Sequence, residues 1–360
     1  MVFVSKIIFS VMLRCRCDRG AAGWRNVLLI AVVFLGSGLL RAREVRCSEL
    51  LAVGSGLPEA GACESSVAPG GPCPESPCRD VWVVSTRGLP DTCRRPDCVD
   101  FGVQRLDDRG CRWEPGTLTD LLSDPARPLV IFVHGNRYDA DAAREQGLRL
   151  ADRLGRYVGA TAGDVAGGSP RTVVFSWPSD QQGILVRDSR RKYDRAFSDG
   201  LYLSWLLGQV DPERPLGLVG YSFGGLVTLE ALADRMEADS GAWADRPGRT
   251  HLALVTPAVR SDALLPGGPY RAAVEGIDRL TLLINSRDRA LRFFRFVDPA
   301  VGADALGFVG MSASRLPAGV EYAAVDAAPV VGREHSFRPF LDSRPLASRI
   351  VGSLLGGLAD

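Results

Sequence analysis

"LGLVGYSFGGLVTLEAL", residues 216–232, is an apolar run of strand type that breaks into glycines around Ser222 and then resumes with helical spacing. Leu216 to Val219 read as a short buried strand. After Gly224, residues Leu226, Leu229, Ala233 and Met236 recur at three- to four-residue intervals, the apolar stripe of a surface helix. The segment is therefore strand, sharp turn and helix, with Ser222 on the turn. With 40 glycines in 360 residues, Gly-x-Ser-x-Gly is a weak signal by itself, and the flanking elements carry the reading. A serine between such elements sits in a strained main-chain conformation costing about 1–3 kcal/mol, and Gly220 and Gly224 let neighbouring backbone come close enough to hold it.

Working outward, apolar runs at 81–88, 129–134, 172–177, 216–220, 251–259, 279–285 and 320–328 read as strands, several of them continuous enough to be buried on both faces. Helical patterns lie between them, over 139–157, 193–207 and 224–238. Strands alternating with helices predict an α/β domain with a mostly parallel sheet covered on both faces, over residues 81–360. In such sheets ligands bind where strands end at their carboxyl side. The runs end at His134-Gly135-Asn136-Arg137, at Trp177-Pro178-Ser179-Asp180, at Ser222 and at Asn285-Ser286-Arg287-Asp288, and the last is expected to run on toward His335.

Composition narrows the class. Hydrophobic residues are 46 % and charged ones 24 %, and the formal net charge is +1, so nothing points to nucleic acid. All nine cysteines fall between Cys15 and Cys111. Residues 27–40, "VLLIAVVFLGSGLL", follow Arg14, Arg16, Arg19 and Arg25 and contain Gly36-Ser37-Gly38; residues 1–45 read as an export signal or an uncleaved N-terminal membrane anchor. The expected location is the cell envelope, periplasmic or extracellular, or the membrane. Residues 46–80 form a Cys/Pro/Gly-rich leader, too poor in apolar residues to build a core, with disulfides expected from there to Cys111. Zinc is the weaker reading, since the Cys-x4-Cys spacings are wide and no histidine is near. Seven leader cysteines leave one unpaired, expected at Cys47 or Cys63.

The order Ser222, Asp288, His335, with Gly220-Tyr221-Ser222-Phe223-Gly224 as a turn and His134-Gly135 after an earlier strand, resembles the α/β-hydrolase superfamily. "FVHGNR", "FSWPSD", "GYSFGG" and "NSRDRAL" look like an uncharacterised bacterial α/β-hydrolase-like family. The resemblance covers residues 81–350. It implies Ser222 as nucleophile, His335 as base and then acid, Asp288 as its orienting carboxylate, the N–H groups of Phe223 and Asn136 as an oxyanion hole, and no cofactor or metal. Asp326 competes for the acidic role. Trp177 reads as core or pocket wall, and the charged run at 187–195 as a solvated helix face. The expected function is cleavage of a small-molecule or lipid ester. The alternative is a binding protein that keeps the fold without catalysis, and a serine peptidase is a weaker third reading.

Overall fold

In the computed structural model the described residues are 80–107, 112–160, 169–182, 185–297 and 303–356. The signal or anchor segment and most of the leader lie outside them. Of the leader cysteines, Cys93 and Cys98 are described: Cys98 is disulfide-bonded and Cys93 carries a free, half-buried thiol, whereas the sequence placed the unpaired one at Cys47 or Cys63.

Nine strands form one sheet: β1 (Val81–Ser85), β2 (Gly102–Leu106), β3 (Trp113–Pro115), β4 (Leu129–Val133), β5 (Arg171–Ser176), β6 (Leu216–Tyr221), β7 (Thr250–Val255), β8 (Arg279–Ile284) and β9 (Glu321–Asp326), in the order β3-β2-β1-β5-β4-β6-β7-β8-β9. β2 pairs antiparallel with β1 and β3, and every other pairing is parallel. The seven expected strands are present within a few residues of their predicted ends. β2 and β3 are additions, and residues 327–335 do not continue β9 but form a short helix (Ala328–Val331) and a loop.

Four described helices exceed ten residues: α1 (Ala140–Ala160), α2 (Leu185–Leu207), α3 (Phe223–Ala238) and α4 (Arg344–Leu355). The Asp139 side chain accepts from the Ala142 N–H at 2.7 Å and so sits just ahead of α1, capping its first turn. The two faces of the sheet are separated by the alternation of each strand. Leu129, Ile131 and Val133 of β4 join the core under α2 and α3, and Val130 and Phe132 join the one under α1 and α4. All five are fully buried or nearly so, which is why the run shows no polar alternation.

The parallel register brings the carboxyl ends of β4 to β9 nearly level. Val133 pairs with Gly220, Tyr221 with Val255, Val255 with Leu283 and Ile284 with Asp326. At this edge α3 starts against the end of β4. A Cβ on Gly224 would lie 2.0 Å from the Val133 carbonyl oxygen and 2.7 Å from that of His134, both main-chain atoms that cannot step aside. Gly224→Ala should therefore cost more than about 3 kcal/mol and lower the melting temperature sharply or prevent soluble expression. Gly155→Ala in α1, where no atom lies within 4 Å, should instead raise stability by about 0.5–1 kcal/mol in the same urea titration.

Candidate active site

Ser222 links β6 to α3 with φ 53° and ψ −120°, a conformation that a residue with a side chain rarely adopts. Main-chain hydrogen bonds pin it from both sides. Its N–H donates to the Val255 carbonyl at 3.1 Å, and its carbonyl accepts from Gly225 at 3.0 Å and Ala258 at 3.1 Å. The preceding turn is equally crowded, since a Cβ on Gly220 would sit 2.7 Å from the Gly225 Cα. The result is a serine lifted out of the sheet, its Oγ 2.8 Å from His335 Nε2.

His335 Nδ1 lies 2.6 Å from Asp288 Oδ2. A buried carboxylate can only accept here, so the imidazole proton resides on Nδ1 and Nε2 is left to accept from the Ser222 hydroxyl. Asp288 is completely buried. Its second oxygen, Oδ1, accepts from the N–H groups of Ala290 at 2.8 Å and Leu291 at 3.0 Å, which fixes the carboxylate plane. Ser222 and Asp288, from the ends of β6 and β8, and His335, from the loop after the short helix Ala328–Val331, thus stand in one hydrogen-bonded line.

His335 lies on a loop, and its place is fixed by contacts that the sequence did not single out. The Tyr221 hydroxyl donates to the His335 carbonyl, and Asn285 Nδ2 donates to the Glu334 carbonyl at 3.0 Å. The ring of Tyr221 lies 5.5 Å from that of His335 and 5.2 Å from that of Phe337. Burial raises the phenol of Tyr221 well above its ordinary range, so it remains a donor. Tyr221 appeared in the sequence only as the variable residue of the serine motif, and Asn285 only as a strand end.

The loop after β4 supplies the other wall. His134 is fully buried. The Trp177 N–H donates to its Nε2 at 3.2 Å, and its Nδ1 lies 2.9 Å from the Gly135 carbonyl, so it is neutral and donates through Nδ1. Its ring stacks between Trp177 and Tyr138, at 5.8 and 5.5 Å. Burial lowers its pKa to about 3. These contacts make His134 a brace for the turn, and they seal Trp177 into the core, its Nε1 donating to the His134 carbonyl at 2.7 Å. Gly135 packs against the Ser222 turn, where a Cβ would lie 2.8 Å from the Tyr221 ring and 3.0 Å from Ser222 Cβ. Asn136 follows, half-buried, its side-chain oxygen accepting from Arg137 N–H at 2.9 Å. Phe223 is the first residue of α3, so its N–H is among the four that a helix leaves without an internal partner.

The remaining candidates fall elsewhere. Asp326 closes β9 and accepts from Ser286 N–H at 3.2 Å and Ser286 Oγ at 2.6 Å, well served without His335. His251 is near the amino end of β7, with Nδ1 3.2 Å from the Leu354 carbonyl of α4. The charged run 187–195 departs from its expectation. α2 begins eight residues earlier than predicted, Asp188 and Lys192 are buried, and Arg195 holds Asp199 at 2.8 Å and donates to the Leu89 carbonyl at 3.1 Å. It forms part of a polar layer between α2 and the ends of β1 and β5, in which Arg87 joins Asp180, Ser176 and the Tyr138 carbonyl. Among the described residues no group of three or more His, Cys, Asp or Glu is arranged to hold a metal ion.

No family model matches the chain, and no curated protein matches it. Among solved structures, acetyl xylan esterase 1 from Thermoanaerobacterium sp. JW/SL YS485 is similar at 16 % identity over 71 % of this chain and 83 % of that one, with a TM-score of 0.31. A likeness that loose carries no argument about the site, which stands on its own geometry.

The state of His134 sets a pH dependence. Unfolded, an imidazole takes up its proton near pH 6.5; folded, His134 does so near 3. Between these values the unfolded chain binds more protons, so stability present above about pH 6.5 is lost as pH falls toward 3. The neutral mimic His134→Gln should lose about 2 kcal/mol less stability than wild type between pH 8 and pH 5, measured by urea unfolding at each pH.

Proposed function

We propose that the chain is a serine hydrolase of the α/β-hydrolase superfamily that cleaves an ester-type bond through Ser222, His335 and Asp288. The observation that carries this reading is the hydrogen-bonded line of 2.8 and 2.6 Å that starts at a serine held at φ 53°. A structural serine has no use for that conformation, and an unlinked histidine would gain nothing from a buried carboxylate behind it.

In this reading, Ser222 Oγ attacks the ester carbonyl carbon while its proton passes to His335 Nε2. The imidazolium that forms is held by Asp288 Oδ2. Negative charge on the carbonyl oxygen is taken up by the N–H groups of Phe223 and Asn136. Collapse of the tetrahedral adduct breaks the bond to the alkoxy oxygen, which leaves with the proton from Nε2, and the acyl group stays on Oγ. Water then attacks the acyl-enzyme, giving its proton to Nε2 and restoring Ser222 as the carboxylic acid departs. Tyr221 and Asn285 act through His335 as positioning residues. No metal or cofactor enters this scheme.

The alternative of a non-catalytic binding protein makes the opposite prediction for a fluorophosphonate probe. Wild type should be labelled at Ser222. Ser222→Ala should abolish labelling and lower kcat on p-nitrophenyl acetate by about 10⁶, with a melting temperature unchanged or higher as the strain is eased. His335→Ala should abolish both signals and His251→Ala neither. Unlabelled, folded wild type, or full turnover in His335→Ala, would sink the proposal.

A further inference from the structure

The turn that follows Asp288 has an exposed face that the proposed chemistry does not use. Residues Leu291–Phe296, "LRFFRF", form a 3₁₀ helix. Leu291 and Phe294 point inward and are 3 % and 2 % exposed, whereas Phe293 and Phe296 are 59 % and 56 % exposed. Those two outer rings stack on each other at 6.3 Å in the open. Single exposed apolar residues are ordinary; a stacked pair of phenylalanines on a turn of six residues is a large apolar knob. Val330, on the segment beside it, is 57 % exposed.

Arginines surround the knob. Arg287, Arg289, Arg292 and Arg295 are exposed on the same stretch, and Arg333 is exposed on the adjoining loop, whose carbonyl lies 3.4 Å from the Arg289 N–H. The acids among the described residues of these segments are Asp288, which is buried, Asp304, Asp326 and Glu334, which is exposed beside Arg333. Arg295 engages Asp304 at 2.8 Å, and Ser286 engages Asp326. The face is therefore apolar at its tip and cationic around it.

The turn is held firmly from behind. Asp288 Oδ1 takes the N–H groups of Ala290 and Leu291, Arg190 of α2 donates to the Phe296 carbonyl at 3.0 Å, and the inner ring of Phe294 packs on Tyr193, which packs on Phe223 beside the nucleophile. Two ring contacts separate the inner ring of this turn from the residue after Ser222.

We infer that this turn docks the protein on an anionic phospholipid bilayer, with Phe293 and Phe296 entering the boundary of headgroups and acyl chains and Arg289, Arg292 and Arg333 meeting lipid phosphates. Aromatic rings favour that boundary, and clustered arginines at its edge are drawn to an anionic leaflet. No described helix is long and apolar enough to cross a membrane. Resting on the hydrolase reading above, the docked orientation makes lipid-borne esters the substrate class, because the triad carboxylate anchors the turn that meets the bilayer.

The test is hydrogen exchange on the full chain mixed with vesicles. Phosphatidylglycerol vesicles at low salt should slow exchange in residues 289–297, and phosphatidylcholine vesicles or roughly 0.5 M salt should not. No slowing there, equal slowing by the neutral vesicles, or slowing that tracks protein concentration without lipid and so marks a second copy, overturns the inference. A second readout uses Phe293→Ser/Phe296→Ser and Arg289→Gln/Arg292→Gln. Each pair should lower hydrolysis of an ester carried in phosphatidylglycerol vesicles about tenfold or more and leave kcat/KM for dissolved p-nitrophenyl acetate unchanged. Unchanged vesicle hydrolysis counts against docking. Absence of any ester hydrolysis counts against the catalytic reading alone, and the exchange result still decides the docking.

Discussion

A serine forced to φ 53° between a strand and a helix is the constraint on which the site geometry rests. The conformation is unfavourable for an isolated residue, so its surroundings must over-determine it. They do so with main chain. Val255, Gly225 and Ala258 bind both polar groups of Ser222, and Gly220 and Gly224 strip away the Cβ atoms that would push these segments apart. Because Gly224 rests on the carbonyls of Val133 and His134, the same contact fixes where the Asn136 loop can run. The Ser222 turn and the loop proposed as its oxyanion donor are thus two sides of one close approach.

The histidine is placed differently. It arrives on a loop 113 residues after the serine, with no strand of its own, and is held by bonds to the main chain on either side of it. Tyr221 takes the His335 carbonyl and Asn285 the Glu334 carbonyl, so the residue before the nucleophile and the residue that ends β8 together set the imidazole. His134, by contrast, is braced through its ring, with the Trp177 N–H at Nε2 and the Gly135 carbonyl at Nδ1.

How much of this the sequence discloses depends on the kind of signal. Buried parallel strands are continuous apolar runs, so β4 to β8 are plain in the text, as is the serine turn between two periodic segments. β2, "GVQRL", has one buried residue in five and β3 has none, so neither shows the apolar face that marks a strand. The start of α2 is hidden for the converse reason. Asp188 and Lys192 are buried and Arg195 reaches Asp199 and, on a segment that only the fold brings near, the Leu89 carbonyl, while a helix read alone assigns them to solvent. That Asp288, and not Asp326, meets His335 has a tertiary ground: Ser286 occupies Asp326, and the turn N–H groups leave Asp288 one oxygen to offer. Tyr221 and Asn285 carry no sequence signal at all, since each acts through a carbonyl of a segment that only the fold brings near.

The division of Asp288 between its two oxygens joins the chemistry to the surface. Oδ2 faces the imidazole, and Oδ1 is saturated by Ala290 and Leu291. Directly after these two N–H groups runs the 3₁₀ path of residues 291–296, in which Leu291 and Phe294 are buried while Phe293 and Phe296 face outward. The exposed phenylalanine pair is thus the outer face of the turn whose first N–H groups fix the carboxylate that meets His335.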